Sequence, residues 1–260
     1  MDTQTKNLSI ERDGAVAIVT MRRADRRNAL SLEMMRELTT TIRALGGEAP
    51  GTSAIVIAGE GPAFSAGHDL RELRGGDEAS YETIFDACVQ LMLAIEAVPV
   101  PVIAEVGALA TAAGCQLVAA CDLAVASEHA RFATPGVRIG LFCSTPMVAL
   151  TRAIGRKRAM EMLLTGEPID ARTALDWGLV NRVAPAGELR AQTLALAQKI
   201  GEASRRVVGI GKAAFYRQIE LPLDAAYALT KTAMVQNAQL ADAQEGISAF
   251  LDKRTPVWPG

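Results

Sequence analysis

The sequence predicts an α/β fold in which short strands and helices alternate, followed by a mostly helical C-terminal region. Residues 54–58 are all apolar, as is typical of a strand buried on both faces of a sheet. Residues 81–98 repeat apolar side chains at helical spacing, which predicts a helix with one buried face. From about Ala186 onward the chain is rich in alanine and helical in pattern. We therefore expect a core over residues 1–185 and a helical region over residues 186–260.

The first elements are marked by turn and capping residues. Residues 15–21 form a β-branched run after an Asp-Gly pair at residues 13–14, which indicates a strand entered through a hairpin turn. Ser31 is the expected N-cap of a helix with an apolar face, and a Gly-Gly pair at residues 46–47 ends that helix.

The same order of elements recurs further along the chain. A short strand is predicted at residues 102–104, a helix from about Ala112, and another strand at residues 123–126. This recurrence indicates stacked units of the ββα type. In the C-terminal region Pro222 opens one helix, and residues 246–251 lie in the last helix.

Composition excludes several classes of protein. The net charge is −2 and no basic block occurs, so we expect no nucleic-acid partner. No apolar run approaches the roughly 20 residues of a membrane span, and we expect none. The first seven residues are polar, without a signal core or a transit pattern. A cytoplasmic location is expected, or the mitochondrial matrix if a transit peptide has been removed.

The cysteines and histidines do not have the spacing of a metal site. No C-x-x-C pair or close His pair occurs, so we expect buried thiols rather than a zinc centre. These residues are Cys88, Cys115, Cys121, Cys143, His68 and His129.

Three blocks of sequence resemble the enoyl-CoA hydratase/isomerase (crotonase) family. They are residues 64–70 (FSAGHDL), residues 101–104 (PVIA) and residues 110–124 (ATAAGCQLVAACDLA). The resemblance covers roughly residues 8–258. It implies a crotonase-type ββα spiral with a helical C-terminal region that mediates trimer formation, giving a homotrimer or a hexamer. It also implies an acyl-CoA thioester as ligand, with coenzyme A as part of that ligand and no permanently bound cofactor.

Chemistry on a thioester builds negative charge on its oxygen, which fixed N–H donors can stabilise. Gly67 allows a sharp turn that exposes the amide of His68, and residues 111–114 open a helix whose first amides lack internal partners. By resemblance, the two oxyanion donors are the backbone N–H groups of His68 and Ala113. The family often has glycine at Ala112 and Ala113. Alanine tolerates helical dihedral angles, so we expect the donor to survive.

The side chains after the turn have other expected roles. The His68 imidazole could titrate near neutral pH, but the resemblance implies that this position contributes its amide, with its side chain toward the cofactor channel or solvent. Asp69 is expected to cap a helix that begins at Leu70 rather than to act as a base.

Two glutamates that the family's hydratases carry are replaced here by Gln116 and Gly136. Adding water to an unsaturated thioester needs a base and an acid, and a carboxamide cannot accept a proton at neutral pH. A third position that carries an acid in other members is Ser144. Gln116 remains a candidate orienter of water or substrate. We expect weak or absent hydration, and a higher rate when Gln116→Glu and Gly136→Glu are combined.

The acyl pocket is expected from residues 136–146. Gly136, Leu141 and Ser144 are its predicted lining, and the segment 140–146 (GLFCSTP) together with Gln116 and Gly136 resembles one branch of the family. Cys143 or Ser144 could be nucleophiles, but no neighbouring residue reads as an activating base, so packing is the favoured role.

The CoA moiety needs cations for its phosphates and a slot for its adenine. By resemblance, the loop at residues 21–30 lies beside CoA, with Arg26 as the best single cation. Phe250 and Lys253 match positions that reach the nucleotide end, often from a neighbouring subunit. The complete predicted CoA-binding set is Arg26, Ala29, Ala66, Gly67, His68, Asp69, Leu70, Phe250 and Lys253.

Three functions stay open at this point. The protein could be an acyl-CoA enzyme with altered hydratase or isomerase chemistry, in fatty-acid or related metabolism. It could instead be a non-catalytic acyl-CoA binder. It could also hydrolyse or isomerise a thioester with the same oxyanion hole, using water held by Gln116.

Overall fold

The computed structural model describes residues 5–47 and 51–259, which form two sheets surrounded by helices. The larger sheet has the strand order β1-β2-β3-β5-β7-β10, in which β1 is antiparallel to β2 and the other pairs are parallel. Its strands are β1 (Leu8–Asp13), β2 (Val16–Met21), β3 (Ala54–Gly59), β5 (Val102–Val106), β7 (Leu123–Ser127) and β10 (Arg182–Ala184).

The smaller sheet is built from very short strands. Its order is β4-β6-β8-β9, with β9 antiparallel to β8. Its strands are β4 (Ala63–Ser65), β6 (Leu109–Thr111), β8 (Arg131–Ala133) and β9 (Ile169–Asp170). Strand β4 runs into the turn at Gly67, and β6 leads into the helix that follows it, so this sheet brings the two predicted oxyanion segments side by side.

Helices follow the strands along the chain and then take over. In the first part they are α1 (Leu32–Gly46), α2 (Leu70–Leu73), α3 (Glu78–Ala97), α4 (Ala113–Ala120), α5 (Ser144–Ala153), α6 (Arg156–Thr165) and α7 (Ala171–Trp177). The C-terminal helices are α8 (Leu189–Gly201), α9 (Arg205–Gln218), α10 (Leu223–Ala238) and α11 (Ala241–Leu251). Among the described residues, no helix combines the length and the apolarity that a membrane crossing requires.

Strand β3 is buried on both faces, as its apolar run predicts. Ile55 and Ile57 point into a large core shared with α1, α3 and α4, while Ala54 and Val56 point into a second core. Helix α8 closes this second core, so the first of the C-terminal helices packs on the sheet.

Local predictions at the start of the chain are confirmed. Asp13 pairs with Val16 across a two-residue turn in which Gly14 has a φ of +55°. The Ser31 side chain accepts a hydrogen bond of 3.2 Å from the amide of Met34 and so caps α1.

A buried polar cluster ties α9 to the core. The Lys212 ammonium donates to Asp122 at 2.7 Å and to the carbonyls of Ile95 at 2.7 Å and Val100 at 3.0 Å. The Tyr216 hydroxyl donates to the other oxygen of Asp122 at 2.8 Å. All three donor positions of the ammonium are therefore used within the chain.

Candidate functional site

A cavity of about 630 Å³ lies between the turn after β4, the start of α4 and the segment 135–146. This volume is typical of a small-molecule site. Seven of the predicted site residues line it, namely Ala66, His68, Leu70, Ala113, Gly136, Leu141 and Ser144.

Two glycines bring the turn and the helix start into direct contact. Gly67 has a φ of +82°, and a β-carbon there would lie 2.9 Å from the Ala112 β-carbon and 3.1 Å from the Ala113 nitrogen. A β-carbon at Gly114 would collide with the Ser65 carbonyl. The backbones can approach this closely only because neither glycine has a side chain.

The hydrogen bonds of this turn use the amides on either side of His68 but not the His68 amide itself. The amide of Ala66 donates to Arg27 at 2.9 Å, that of Gly67 to the Ser65 hydroxyl at 3.2 Å, and that of Asp69 to Leu30 at 3.4 Å. Within the described part of the chain, the His68 amide has no acceptor.

The amide of Ala113 also has no acceptor among the described residues, as expected at the first position of a helix. In the predicted CoA-binding segment 66–70, the amides of Ala66, Gly67 and Asp69 already donate within the chain, whereas the His68 amide is available to a ligand.

Ala112 is not in the helical conformation that we expected. It is the N-cap of α4, with φ +50° and ψ −120°, a region that L-residues seldom adopt. The glycine that the family often has at this position therefore suits the backbone as well as the pocket. Ala113 is the first helical residue, so its amide keeps the expected position.

The His68 imidazole is turned into the protein. Both ring nitrogens are buried without a hydrogen-bond partner among the described residues, and the ring packs edge-on against Phe85 at 5.3 Å between centroids. Of the two directions that the resemblance implied, the cofactor channel or solvent, the structure favours the first, because His68 lines the cavity. Burial lowers the pKa of His68 below its ordinary value of 6.5, so the ring is neutral at neutral pH.

Gly136 has no space for a side chain. A β-carbon there would lie 2.5 Å from the Leu141 carbonyl oxygen and 2.8 Å from the Cys143 sulfur. The expected gain in hydration from Gly136→Glu therefore stays a prediction, and it requires the segment 141–143 to move first. Burial raises the pKa of Cys143, which keeps its thiol protonated. The Ser144 hydroxyl is directed to the Phe142 carbonyl at 3.4 Å.

The structure does not bring Gln116 into this cavity. Its side chain is buried, and its Oε1 accepts a hydrogen bond from the Cys88 sulfur at 3.7 Å. It lines a different cavity of about 810 Å³ between α3, α4, α5 and α9. Its predicted role as an orienter of water or substrate has no geometric support in the cavity that holds the two amides.

The lining of the first cavity is mostly apolar. No Asp or Glu is among the described residues that line it, and its only charged side chain there is Arg138. Arg138 is half exposed and lies 3.8 Å from Glu167, and no sequence pattern marked it as part of the cavity wall. Across the described residues, no group of three His, Cys, Asp or Glu side chains could hold a metal ion.

Asn28 holds the loop at residues 22–30 beside the turn that follows β4. The buried Asn28 side chain donates to the carbonyls of Glu60 and Ala63, both at 2.8 Å, and accepts from the Arg23 amide at 2.9 Å. Arg27 and Asn28 both have a φ of +51°. The side chain thus compensates for a backbone conformation that non-glycine residues seldom adopt.

Arg23 links this loop to the predicted CoA-binding turn and was missed. Its guanidinium donates to the Ala29 carbonyl at 3.1 Å and pairs with Asp69 at 3.2 Å. Asp69 also caps α2, as predicted. Arg26 is exposed and forms an ion pair of 3.3 Å with its neighbour Asp25. Four arginines occur in this loop, and no local pattern distinguishes the one that turns inward.

The two C-terminal candidates lie away from the cavity within one chain. Phe250, on α11, is 83% exposed and lines a separate groove together with Trp258 of the C-terminal tail. Lys253 follows the end of α11 with a φ of +56°.

Comparison with known proteins identifies the family. A family model described as enoyl-CoA hydratase/isomerase matches residues 11–260. The chain is 48% identical to enoyl-CoA hydratase domain-containing protein 3, mitochondrial, from Rattus norvegicus, over 99% of this chain and 86% of that protein.

Solved structures agree with this match. The crystal structure of human enoyl coenzyme A hydratase domain-containing protein 3 aligns with a TM-score of 0.95 and 49% identity, over 97% of this chain and 100% of that one. An enoyl-CoA hydratase from Mycobacterium smegmatis aligns with a TM-score of 0.94 and 48% identity, over 98% and 99% of the two chains. The fold is therefore the crotonase fold, and the chain is similar over nearly its whole length to enoyl-CoA hydratase domain-containing protein 3. The chain belongs to the enoyl-CoA hydratase/isomerase family.

Proposed function

We propose that this protein binds an acyl-CoA thioester, with the thioester oxygen on the amides of His68 and Ala113 and the acyl group in the 630 Å³ cavity. The observation that carries the proposal is the contact at Gly67, which holds two backbone segments together while both amides lack an acceptor among the described residues. Donors fixed in this way do not need to reorganise when charge develops on the oxygen.

The residues that line the cavity limit the chemistry that can follow binding. Polarising the thioester needs only the two amides, whereas hydration needs groups that move protons. The described lining has no carboxylate, and its one imidazole has both nitrogens buried. We therefore propose weak or absent hydratase activity. A protein that binds acyl-CoA without turnover, or one that isomerises or hydrolyses the thioester slowly, is compatible with the same two amides.

The CoA moiety is proposed to lie along the loop at residues 22–30. Arg26 is exposed, and its solvent-exposed pair with Asp25 can give way to a phosphate, while Ala29 and Asp69 are held next to each other by Arg23. This arrangement supports a role for Arg23 in keeping the loop in place rather than in contacting the ligand. The rat relative's name, which includes enoyl-CoA hydratase, supports a CoA thioester as the ligand class.

Calorimetry with a saturated acyl-CoA and with the matching thioester of N-acetylcysteamine tests the proposal. The CoA thioester should bind, and Arg26→Ala should weaken its binding and flatten the salt dependence. Arg172→Ala, which removes an exposed arginine of α7, is the matched control and should change nothing. Equal and negligible heat from both thioesters would overturn the assignment. A mass-spectrometric screen of acyl-CoA thioesters then separates turnover from binding alone.

We also propose a trimer, or a hexamer made of two trimers. Helices α10 and α11 expose large apolar side chains that a single chain leaves in water. These include Tyr227, Met234, Phe250 and Leu251, which are 68–83% exposed. In such an assembly Phe250 and Lys253 could reach the CoA of a neighbouring chain. Light scattering at micromolar concentration should give a trimeric or hexameric mass, and a monomeric mass would contradict this part of the proposal.

The sequence is compatible with two locations. The name of the rat relative describes that protein as mitochondrial, which supports the mitochondrial matrix. Cytoplasm is the alternative. We propose fatty-acid or related acyl-CoA metabolism as the setting in either compartment. Fractionation of the source cells with detection of the endogenous protein distinguishes the two locations.

A further inference from the structure

The cavity proposed for the acyl group carries one positive charge and no described negative charge. Among the described residues, Arg138 is the only charged one that lines the cavity, and it lies two positions after Gly136 in the short 3-10 helix Pro135–Ile139. An unbranched fatty acyl chain offers nothing for a guanidinium to bind. The charge therefore indicates what distinguishes this acyl group from a simple alkyl chain.

The Nε of Arg138 is hydrogen-bonded within the protein, whereas its two terminal nitrogens are available to a ligand. Its Nε donates to the Thr165 carbonyl at 3.1 Å, and its stem packs on Gly166, where a β-carbon would lie 3.2 Å from Nε. Gly166 has a φ of +63° and ends α6. This turn sets the direction of the guanidinium and leaves its terminal edge available.

Within the part of the chain that the structure describes, that edge has one ionic partner, and the pair is weak. Glu167 lies 3.8 Å from Nη2, beyond hydrogen-bond distance, and its side chain is 74% exposed. Pairs of this kind contribute little because both charges stay hydrated. Neither terminal nitrogen donates a hydrogen bond to any described residue. A carboxylate that enters the cavity could therefore accept two parallel hydrogen bonds from this edge.

We propose that Arg138 recognises a carboxylate on the acyl group, so that the preferred ligand is a dicarboxylic acyl-CoA. This inference rests on the proposed function, because it assigns the acyl end to the same cavity. The described lining contains no Asp or Glu that would repel such a group. The thioester oxygen would lie at the His68 and Ala113 amides and the free carboxylate at Arg138, which fixes the acyl chain at both ends.

The test compares ligands of matched length. Calorimetry with glutaryl-CoA against pentanoyl-CoA, and with adipyl-CoA against hexanoyl-CoA, measures the effect of the carboxylate alone. In at least one pair the dicarboxylic ligand should bind about fivefold more tightly at low salt, and the advantage should shrink as salt is raised. Arg138→Gln should abolish the advantage and leave the alkyl ligands unchanged.

Arg131→Gln is the matched control, because Arg131 is exposed on β8 and does not line the cavity. Arg138 is half exposed, so its replacement should not prevent folding, and circular dichroism checks this. Equal binding of both ligands in both pairs overturns the inference and leaves acyl-CoA binding intact. A loss in Arg138→Gln that is the same for dicarboxylic and alkyl ligands also overturns it, because Arg138 would then contact CoA. Failure of every CoA thioester to bind would overturn the proposed function itself.

Discussion

Adding a single methyl group at Gly136 should destabilise the wall of the cavity. The new β-carbon would meet the Leu141 carbonyl oxygen at 2.5 Å and the Cys143 sulfur at 2.8 Å. The Leu141 amide donates to the Gly136 carbonyl at 3.0 Å, so the two segments cannot separate without straining that hydrogen bond. Because the nearest obstacle is backbone rather than the end of a flexible side chain, local rotamer changes cannot relieve the contact.

The expected cost can be bounded from known effects. Overpacking a filled site costs about 1–3 kcal/mol. In a chain of this size each kcal/mol lowers the melting temperature by roughly 2–4 °C, so Gly136→Ala should melt about 2–12 °C below the wild type. Gly136→Glu adds a longer and charged side chain to the same space and should cost more.

Urea unfolding and thermal melting of Gly136→Ala measure this cost, with Gly211→Ala as the control. Gly211 is an exposed residue of α9 with open space around its β-carbon position. Alanine there should stabilise the helix by up to about 1 kcal/mol. A Gly136→Ala protein as stable as the wild type would refute the reasoning. It would show that the segment 141–143 yields readily, and it would make restoration of a glutamate at Gly136 feasible again.

Three further predictions concern the turn and the helix that it contacts. Gly67→Ala should weaken acyl-CoA binding at least tenfold in calorimetry. Gly14→Ala introduces the same left-handed strain where the space is open, so it should lower stability by about 1–2 kcal/mol and leave binding unchanged. Equal binding by the two variants would contradict the role of the contact between Gly67 and the start of α4. Ala112→Gly should relieve left-handed strain and raise the free energy of unfolding by up to about 1 kcal/mol in urea, and a clear loss would mean that the methyl packs favourably. Burial lowers the pKa of His68, so the unfolded chain binds a proton at this residue more readily than the folded chain does. The free energy of unfolding of the wild type should therefore fall as pH drops below 6.5, and that of His68→Phe should fall less over the same interval. Parallel plots of stability against pH for the two proteins would show that His68 does not titrate on unfolding.

Elements with long local patterns were predictable from the sequence. Helix α3 and strand β3 carry enough consecutive residues for their periodicity to be unambiguous, and both are confirmed. The strands of the smaller sheet are two or three residues long, so no periodicity could identify them. They form because neighbouring turns of the chain stack, which is information that no short window contains.

The residues of the site also fall into two groups, those marked by a short stretch of sequence and those whose surroundings depend on distant contacts. Gly67, His68 and Ala113 were singled out by resemblance to the family, through two short blocks of sequence that each lie within one turn or one helix start. The backbone of Ala112 and the filled space at Gly136 depend on atoms far away in sequence. So does the cavity to which Gln116 belongs, since it is set by how α3, α5 and α9 pack. No property of a glutamine in a helix indicates which of two cavities it will face.

The polar cluster that Lys212 forms with Asp122 has a consequence for how this molecule comes apart. Detaching α9 would leave Asp122 without its cation at a position that is 14% exposed, and breaking a buried pair in this way typically costs about 3–5 kcal/mol. Helix α9 is therefore not expected to detach while the sheets stay native. Loss of either part removes charge compensation or core coverage from the other. The chain should unfold as one cooperative unit, and a fragment that ends before α8 should not retain a native core.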